Sequence, residues 1–119
     1  MEHRSNFMDS KIFSKAVNYL PGGVSYAIRY IEFSPIYVER AEGAFVWDVS
    51  GNRYLDFWMG HGALLMGHGY RPVVEAAVEQ IRLGAHFGYS HPWEVMWAKQ
   101  VCKMVPSAGL VRPTNSGTE

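Results

Sequence analysis

Cysteine is nearly absent from this sequence. Cys102 is the only one, so no disulfide can close within the chain, a usage that fits a reducing, cytoplasmic compartment. An excess of charge is also missing: Lys plus Arg and Asp plus Glu are both 11, and the formal net charge is zero. Without a basic surplus there is no electrostatic footprint for nucleic acid or for an anionic membrane. Long hydrophobic runs are lacking too. The stretch ALLM at 63–66 falls far short of the roughly 20 apolar residues that a bilayer-crossing helix needs. The opening MEHRSNFMDSK has no apolar segment of a secretory signal. Nor is there a metal-binding pattern: His61, His68, His86 and His91 match no zinc spacing and have no cysteine pair beside them. The expectation is a soluble cytoplasmic protein with no metal, nucleic-acid or membrane partner.

What is present is a core-forming composition. Of 119 residues, 48% are hydrophobic and 14% aromatic, enough for one modest domain and unlike a disordered tail. Ile12, Phe13, Ala16, Val17 and Leu20 recur at helical spacing, which predicts a helix over 9–20 that Asp9 or Ser10 can cap. Pro21-Gly22-Gly23 ends it. Residues 36–40, 44–49 and 53–58 are rich in β-branched and aromatic types, with turns at Glu42-Gly43 and Ser50-Gly51-Asn52, and predict a three-stranded meander.

A glycine-dense stretch, GHGALLMGHGYRP at 60–72, leads into two helices. The first has Pro72 in its first turn and ends at Gly84, with Val74, Val78 and Ile81 expected on its buried side. The second runs from near Pro92 to before Pro106 with an apolar stripe of Val95, Ala98, Val101, Cys102 and Val105. On that stripe Cys102 reads as a small buried hydrophobe. Trp47, Trp58, Trp93 and Trp97 read as packing residues of a core or subunit interface. Leu110-Val111-Arg112 is expected to open a further strand.

That strand runs into Asn115-Ser116-Gly117-Thr118-Glu119. Two hydroxyls flank a glycine that lets backbone approach a ligand closely. If a helix follows, its free N–H groups and dipole favour an anion. The same residues also suit an ordinary turn or helix cap.

In order, PGGVSYAIR, EGAFVWDVSGNRYLDF, GHGALLMGHG and VPSAGLVRPTNSGTE resemble the N-terminal region of the class III aminotransferases, which are fold-type-I pyridoxal-phosphate enzymes. Within that family the resemblance is strongest to the glutamate-1-semialdehyde 2,1-aminomutases. It covers nearly the whole chain from about residue 11 and rests on the ordered set rather than on any single motif. It implies an α/β fold in which residues 1–107 contribute to the small domain and dimer interface and residues 108–119 begin the large cofactor-binding domain. It also implies that the chain is an N-terminal fragment of a longer enzyme.

The resemblance assigns Ser116, Gly117 and Thr118 to the phosphate of pyridoxal 5'-phosphate, and Arg29 to a substrate carboxylate, for which a guanidinium is apt. Two places differ from the aminomutase pattern. Tyr26 and Ala27 stand where it has Ser-Pro, and His61 stands where it has a tryptophan in the substrate pocket. Both bear on substrate choice, so the resemblance leaves two activities open: the aminomutase reaction, and a class III transamination of another amino-acid or amino-aldehyde substrate.

The family's catalytic lysine, which bonds the cofactor, has no counterpart among Lys11, Lys15, Lys99 and Lys103. The aromatic residue that stacks on the cofactor ring and the aspartate that pairs with its nitrogen are likewise unmatched. No catalytic residue is therefore assigned, and the chain by itself is expected to be inactive. The alternative is a non-catalytic protein that acts only by associating with another subunit.

Overall fold

The computed structural model describes residues 7–31 and 35–116. They divide into two compact units, residues 1–78 and 79–119, and each is described by itself.

In the first unit, helix α1 spans Phe7–Ala16. It ends four residues before the expected limit, and Asp9 and Ser10 fall inside it. The cause is local: the N–H groups of Asn18 and Tyr19 reach back only three residues, to Lys15 and Ala16, the tightening common at helix ends. Pro21–Gly23 forms a short 3-10 turn. Gly23 is buried at φ +72, and a Cβ there would sit 2.6 Å from the Phe13 ring, so only glycine lets this turn pack beneath α1. The Tyr37 hydroxyl donates to the Gly23 carbonyl at 3.1 Å. A second 3-10 turn, Ala27–Arg29, follows.

The meander forms as an antiparallel sheet in the order β1 (Val38–Glu42), β2 (Phe45–Asp48), β3 (Arg53–Leu55). Its boundaries differ from those read in the sequence. β1 starts two residues later than expected and runs on to Glu42, because Glu42 pairs with Phe45 and leaves Gly43-Ala44 as a tight turn. β3 stops at Leu55 because Asp56 turns its side chain onto the backbone ahead of it. Arg40 stacks over Trp47 across the sheet, 3.6 Å from the ring centre, and Arg53 covers Phe45 at 4.7 Å.

Helix α2 spans Arg71–Leu83 and crosses from the first unit into the second. Gly84 closes it at φ +113 with its N–H on the Ile81 carbonyl. In the second unit α3 spans Pro92–Met104, as the two prolines suggest. His91 Nδ1 accepts from the Trp93 N–H and Glu94 Oε1 accepts from the His91 N–H, a reciprocal cap in which histidine takes the place of the usual serine or threonine.

Three expectations about packing are corrected. Val74, Val78 and Ile81 are 46%, 42% and 65% exposed rather than buried, and among the described residues no hydrophobic side chain is fully buried. An apolar helix face stays open unless another surface covers it, and the described residues supply none. Cys102, expected buried, is only half-buried, its Sγ 3.9 Å from the Gly109 carbonyl; Trp58, Trp93 and Trp97 are exposed, as interface residues are while no partner surface covers them. Finally, Leu110 to Arg112 is irregular rather than a strand. Leu110 is 97% exposed, and a strand needs a neighbour to take its N–H and C=O groups.

Candidate functional site

The most buried polar side chain lies at the hairpin. Asp48 is 0% exposed and sits at the end of β2. Its Oδ1 accepts from the N–H groups of Ser50 and Asn52 at 2.9 and 2.8 Å. Its Oδ2 accepts from Asn52 Nδ2 and from the Tyr54 hydroxyl at 2.9 and 2.8 Å. This explains the spacing in WDVSGNRYLDF: a carboxylate at 48 collects donors from 50, 52 and 54 and fixes the β2–β3 turn. Burial pushes the Asp48 carboxyl up, but these donors outweigh it and hold it below its ordinary value.

Asp56 has a related role just past the end of β3. Its Oδ1 accepts from the N–H groups of Trp58 and Met59 at 2.7 and 3.2 Å, and its Oδ2 lies 2.7 Å from His68 Nε2. The His68 hydrogen bond lowers the Asp56 pKa, burial opposes it, and the two backbone donors and the attraction of His68 add to the lowering. An ionised carboxylate only accepts, so His68 Nε2 carries the proton. The backbone of His68 exchanges hydrogen bonds with Gly43 in both directions, at 2.8 and 2.9 Å. Gly67 makes that approach possible: a Cβ there would lie 2.8 Å from the Gly43 carbonyl oxygen.

Between these anchors the backbone is unusual. Met59, Gly60, His61 and Gly62 all have positive φ, at 47, 60, 61 and 79. The Gly62 N–H donates to the Trp58 carbonyl at 3.0 Å, so the four residues form one left-handed turn. For a non-glycine residue this conformation costs about 1–2 kcal/mol, and Met59 and His61 both adopt it. The turn holds His61 on an exposed loop with its ring edge-on to Trp58 at 4.9 Å and 6.5 Å from the Tyr26 ring.

Tyr26 opens the segment that carries Arg29, and Arg29 Nη1 donates to Ser25 Oγ at 3.0 Å. The fold therefore brings the segment of Arg29 beside the loop of His61. Ser25 and Trp58 carry no site signal in the sequence. The Gly-Val-Ser run is visible there, but nothing in its pattern says that the serine touches the arginine four residues on.

At the other expected site, Arg112, Pro113, Thr114 and Asn115 line an open concavity of about 420 Å³. Thr114 Oγ1 donates to the Ser116 carbonyl at 3.1 Å. Gly117 and Thr118 lie outside the described residues. A guanidinium, an amide and a hydroxyl are a donor set that suits a phosphate. They do not suit a whole cofactor: the lysines nearest in sequence, Lys99 and Lys103, are exposed on α3. The residues present fit the phosphate group alone.

No helix among the described residues is long and apolar enough to cross a membrane. Nor does any group of three or more His, Cys, Asp or Glu side chains there stand ready to hold a metal ion.

Residues 26–119 match the family model of class-III aminotransferases, and the chain belongs to that family. It is 45% identical over 109 residues to a glutamate-1-semialdehyde 2,1-aminomutase of Methanosphaera stadtmanae, a match covering 92% of this chain and 26% of the relative. Its structure resembles that of an omega-transaminase from Sphaerobacter thermophilus, with TM-score 0.87, 34% identity, and coverage of 92% of this chain and 25% of the other. It also resembles a transaminase with bound pyridoxal phosphate, with TM-score 0.88, 33% identity, and coverage of 93% and 26%. The fold is thus the N-terminal portion of a fold-type-I pyridoxal-phosphate transferase, and the chain spans about a quarter of the length of the relatives it matches.

Proposed function

We propose that residues 1–119 are the substrate-choosing and phosphate-holding portion of a pyridoxal-phosphate aminotransferase that works chiefly as a transaminase. The observation that carries this reading is the grouping of Tyr26, His61 and Trp58 beside the segment of Arg29. Arg29 takes a substrate carboxylate in a bidentate grip, and Ser25 restrains its guanidinium. His61 sets the pocket wall. A polar imidazole on an exposed turn leaves the pocket more open than a tryptophan does. An aminomutase must keep its reacting molecule through both halves of the reaction, whereas a transaminase must exchange one substrate for another.

Ser116, Gly117 and Thr118 hold the phosphate of the cofactor, which when bound supplies the electron sink for chemistry at the substrate's α carbon. Residues 108–119 begin the cofactor-binding domain, and residues 1–107 contribute to the small domain and to a homodimer interface. In that reading the enzyme is cytoplasmic. A polypeptide of these 119 residues alone is inactive, because none of Lys11, Lys15, Lys99 and Lys103 stands at the cofactor-bonding position.

The test is Arg29→Ala in a full-length enzyme carrying these residues. Loss of a charged hydrogen bond removes about 1.5–3 kcal/mol of substrate binding, so KM for the amino substrate rises about tenfold to a hundredfold while cofactor content is unchanged. Equal loss of cofactor contradicts the assignment.

A further inference from the structure

We propose that Asp56 and His68 are positioning residues that hold the left-handed turn Met59–Gly62, and through it His61, in the geometry the substrate pocket uses. This rests on His61 forming the wall of that pocket.

Three observations carry it. First, both ends of the 57–67 loop are pinned to the same hairpin. Asp56 continues the ladder by donating its N–H to the Ala44 carbonyl at 2.8 Å, and His68 pairs with Gly43 by two backbone hydrogen bonds. Second, the two pinning residues are joined to each other at 2.7 Å in a poorly exposed contact, their side chains 18% and 13% accessible. Third, the Asp56 carboxylate reaches forward to the Trp58 and Met59 N–H groups. Those are the residues at which the backbone enters positive φ.

One carboxylate thus ties the exit of the loop to the first residues of the turn. Without it, Met59 and His61 are free to relax to negative φ, the conformation that L residues prefer. Strained backbone persists only where its surroundings over-determine it; the Gly62–Trp58 and Leu64–Met59 backbone hydrogen bonds close the turn on itself, and this carboxylate with its histidine is the side-chain brace that ties it to the sheet.

The experiment uses the full-length holoenzyme bearing residues 1–119 and compares His68→Ala, His68→Gln and the double variant His68→Ala with Met59→Gly. A glutamine amide can occupy the position of Nε2 and donate to Asp56. Glycine at 59 takes positive φ without cost. In His68→Ala, amide exchange over 57–67 quickens by about ten- to a hundredfold, the worth of a charge-assisted hydrogen bond. KM rises about tenfold or more, as a small misplacement of a substrate-positioning group requires, while kcat and cofactor content hold. His68→Gln stays near the parent, and Met59→Gly in the His68→Ala background recovers some of the KM loss.

Unchanged exchange over 57–67 in His68→Ala overturns the proposal. So does a His68→Gln variant as impaired as His68→Ala. If exchange quickens but KM is unmoved in both His68→Ala and His61→Ala, the brace on the turn stands and the substrate role of His61 falls.

Discussion

The Tyr54 hydroxyl donates to Asp48 Oδ2 at 2.8 Å, tying β3 to the buried end of β2 through a carboxylate that no solvent reaches. Two residues six apart in sequence thereby share one anchor. The expected consequence is graded. Tyr54→Phe removes one donor to a charge and costs about 1.5–3 kcal/mol. Asp48→Ala strands several donors at once and costs more. Amide exchange at Trp47 and Arg53, which pair across β2 and β3, reports both. An Asp48→Ala variant with parental protection there would show that the anchor is idle.

Acid should loosen the hairpin in a defined window. Asp48 and Asp56 are both held below the ordinary carboxylate value of 3.8. A group whose folded pKa is depressed stabilises the fold above its unfolded pKa and loses that contribution as pH falls through the folded value. Stability from these two carboxylates is therefore fully present at neutral pH, begins to fall near the unfolded carboxylate pKa of about 4, and is gone only once the pH has dropped below their lowered folded values. Carbon-13 titration of the two carboxyl groups checks this. Midpoints at or above 3.8 would contradict it.

The 119-residue chain by itself should associate with itself and take up no cofactor. Val73, Val78 and Ile81 on α2 and Val95 and Met96 on α3 are exposed. Burying even a few hundred Å² of such surface is worth several kcal/mol at about 25 cal/mol per Å², against a total stability of only about 5–15 kcal/mol for a domain. Size-exclusion chromatography should show oligomers, hydrogen exchange should be fast after Pro106, and titrated pyridoxal phosphate should show no lysine-dependent change of absorbance. A cleanly monomeric, cooperatively unfolding chain would oppose this expectation.

Much of this arrangement is legible in the sequence, and the departures have local causes. α3 is readable because Pro92 and Pro106 bracket it. The meander is readable from its aromatic and β-branched runs and its turn glycines. Its register is not, because Glu42 reads as a turn residue and the structure makes it the last rung of β1. The apolar face of α2 is periodic as expected, but periodicity says only which side is apolar, not that anything covers it. The strand expected at Leu110 is absent for the same reason, since a strand is a property of a pair.

At the candidate site, Arg29 and His61 can be singled out by resemblance. The left-handed turn cannot, since positive φ is uncommon for any residue but glycine, and the only signal is the glycine on either side of His61. His68 shows in the sequence only as a histidine between two glycines, and its partner Asp56 is hidden because the two lie twelve apart with nothing periodic between them.

Whether these residues shape a transaminase pocket is decided by product analysis on a full-length enzyme carrying them. The enzyme is given glutamate-1-semialdehyde in one vessel and an amino acid with a keto acid in another. A pocket walled by His61 should give measurable amino-group exchange between amino acid and keto acid, with isomerisation to 5-aminolevulinate the minor activity, and His61→Trp should move that balance toward isomerisation. Efficient conversion of glutamate-1-semialdehyde to 5-aminolevulinate with no transamination, unaltered by His61→Trp, would refute the transaminase reading.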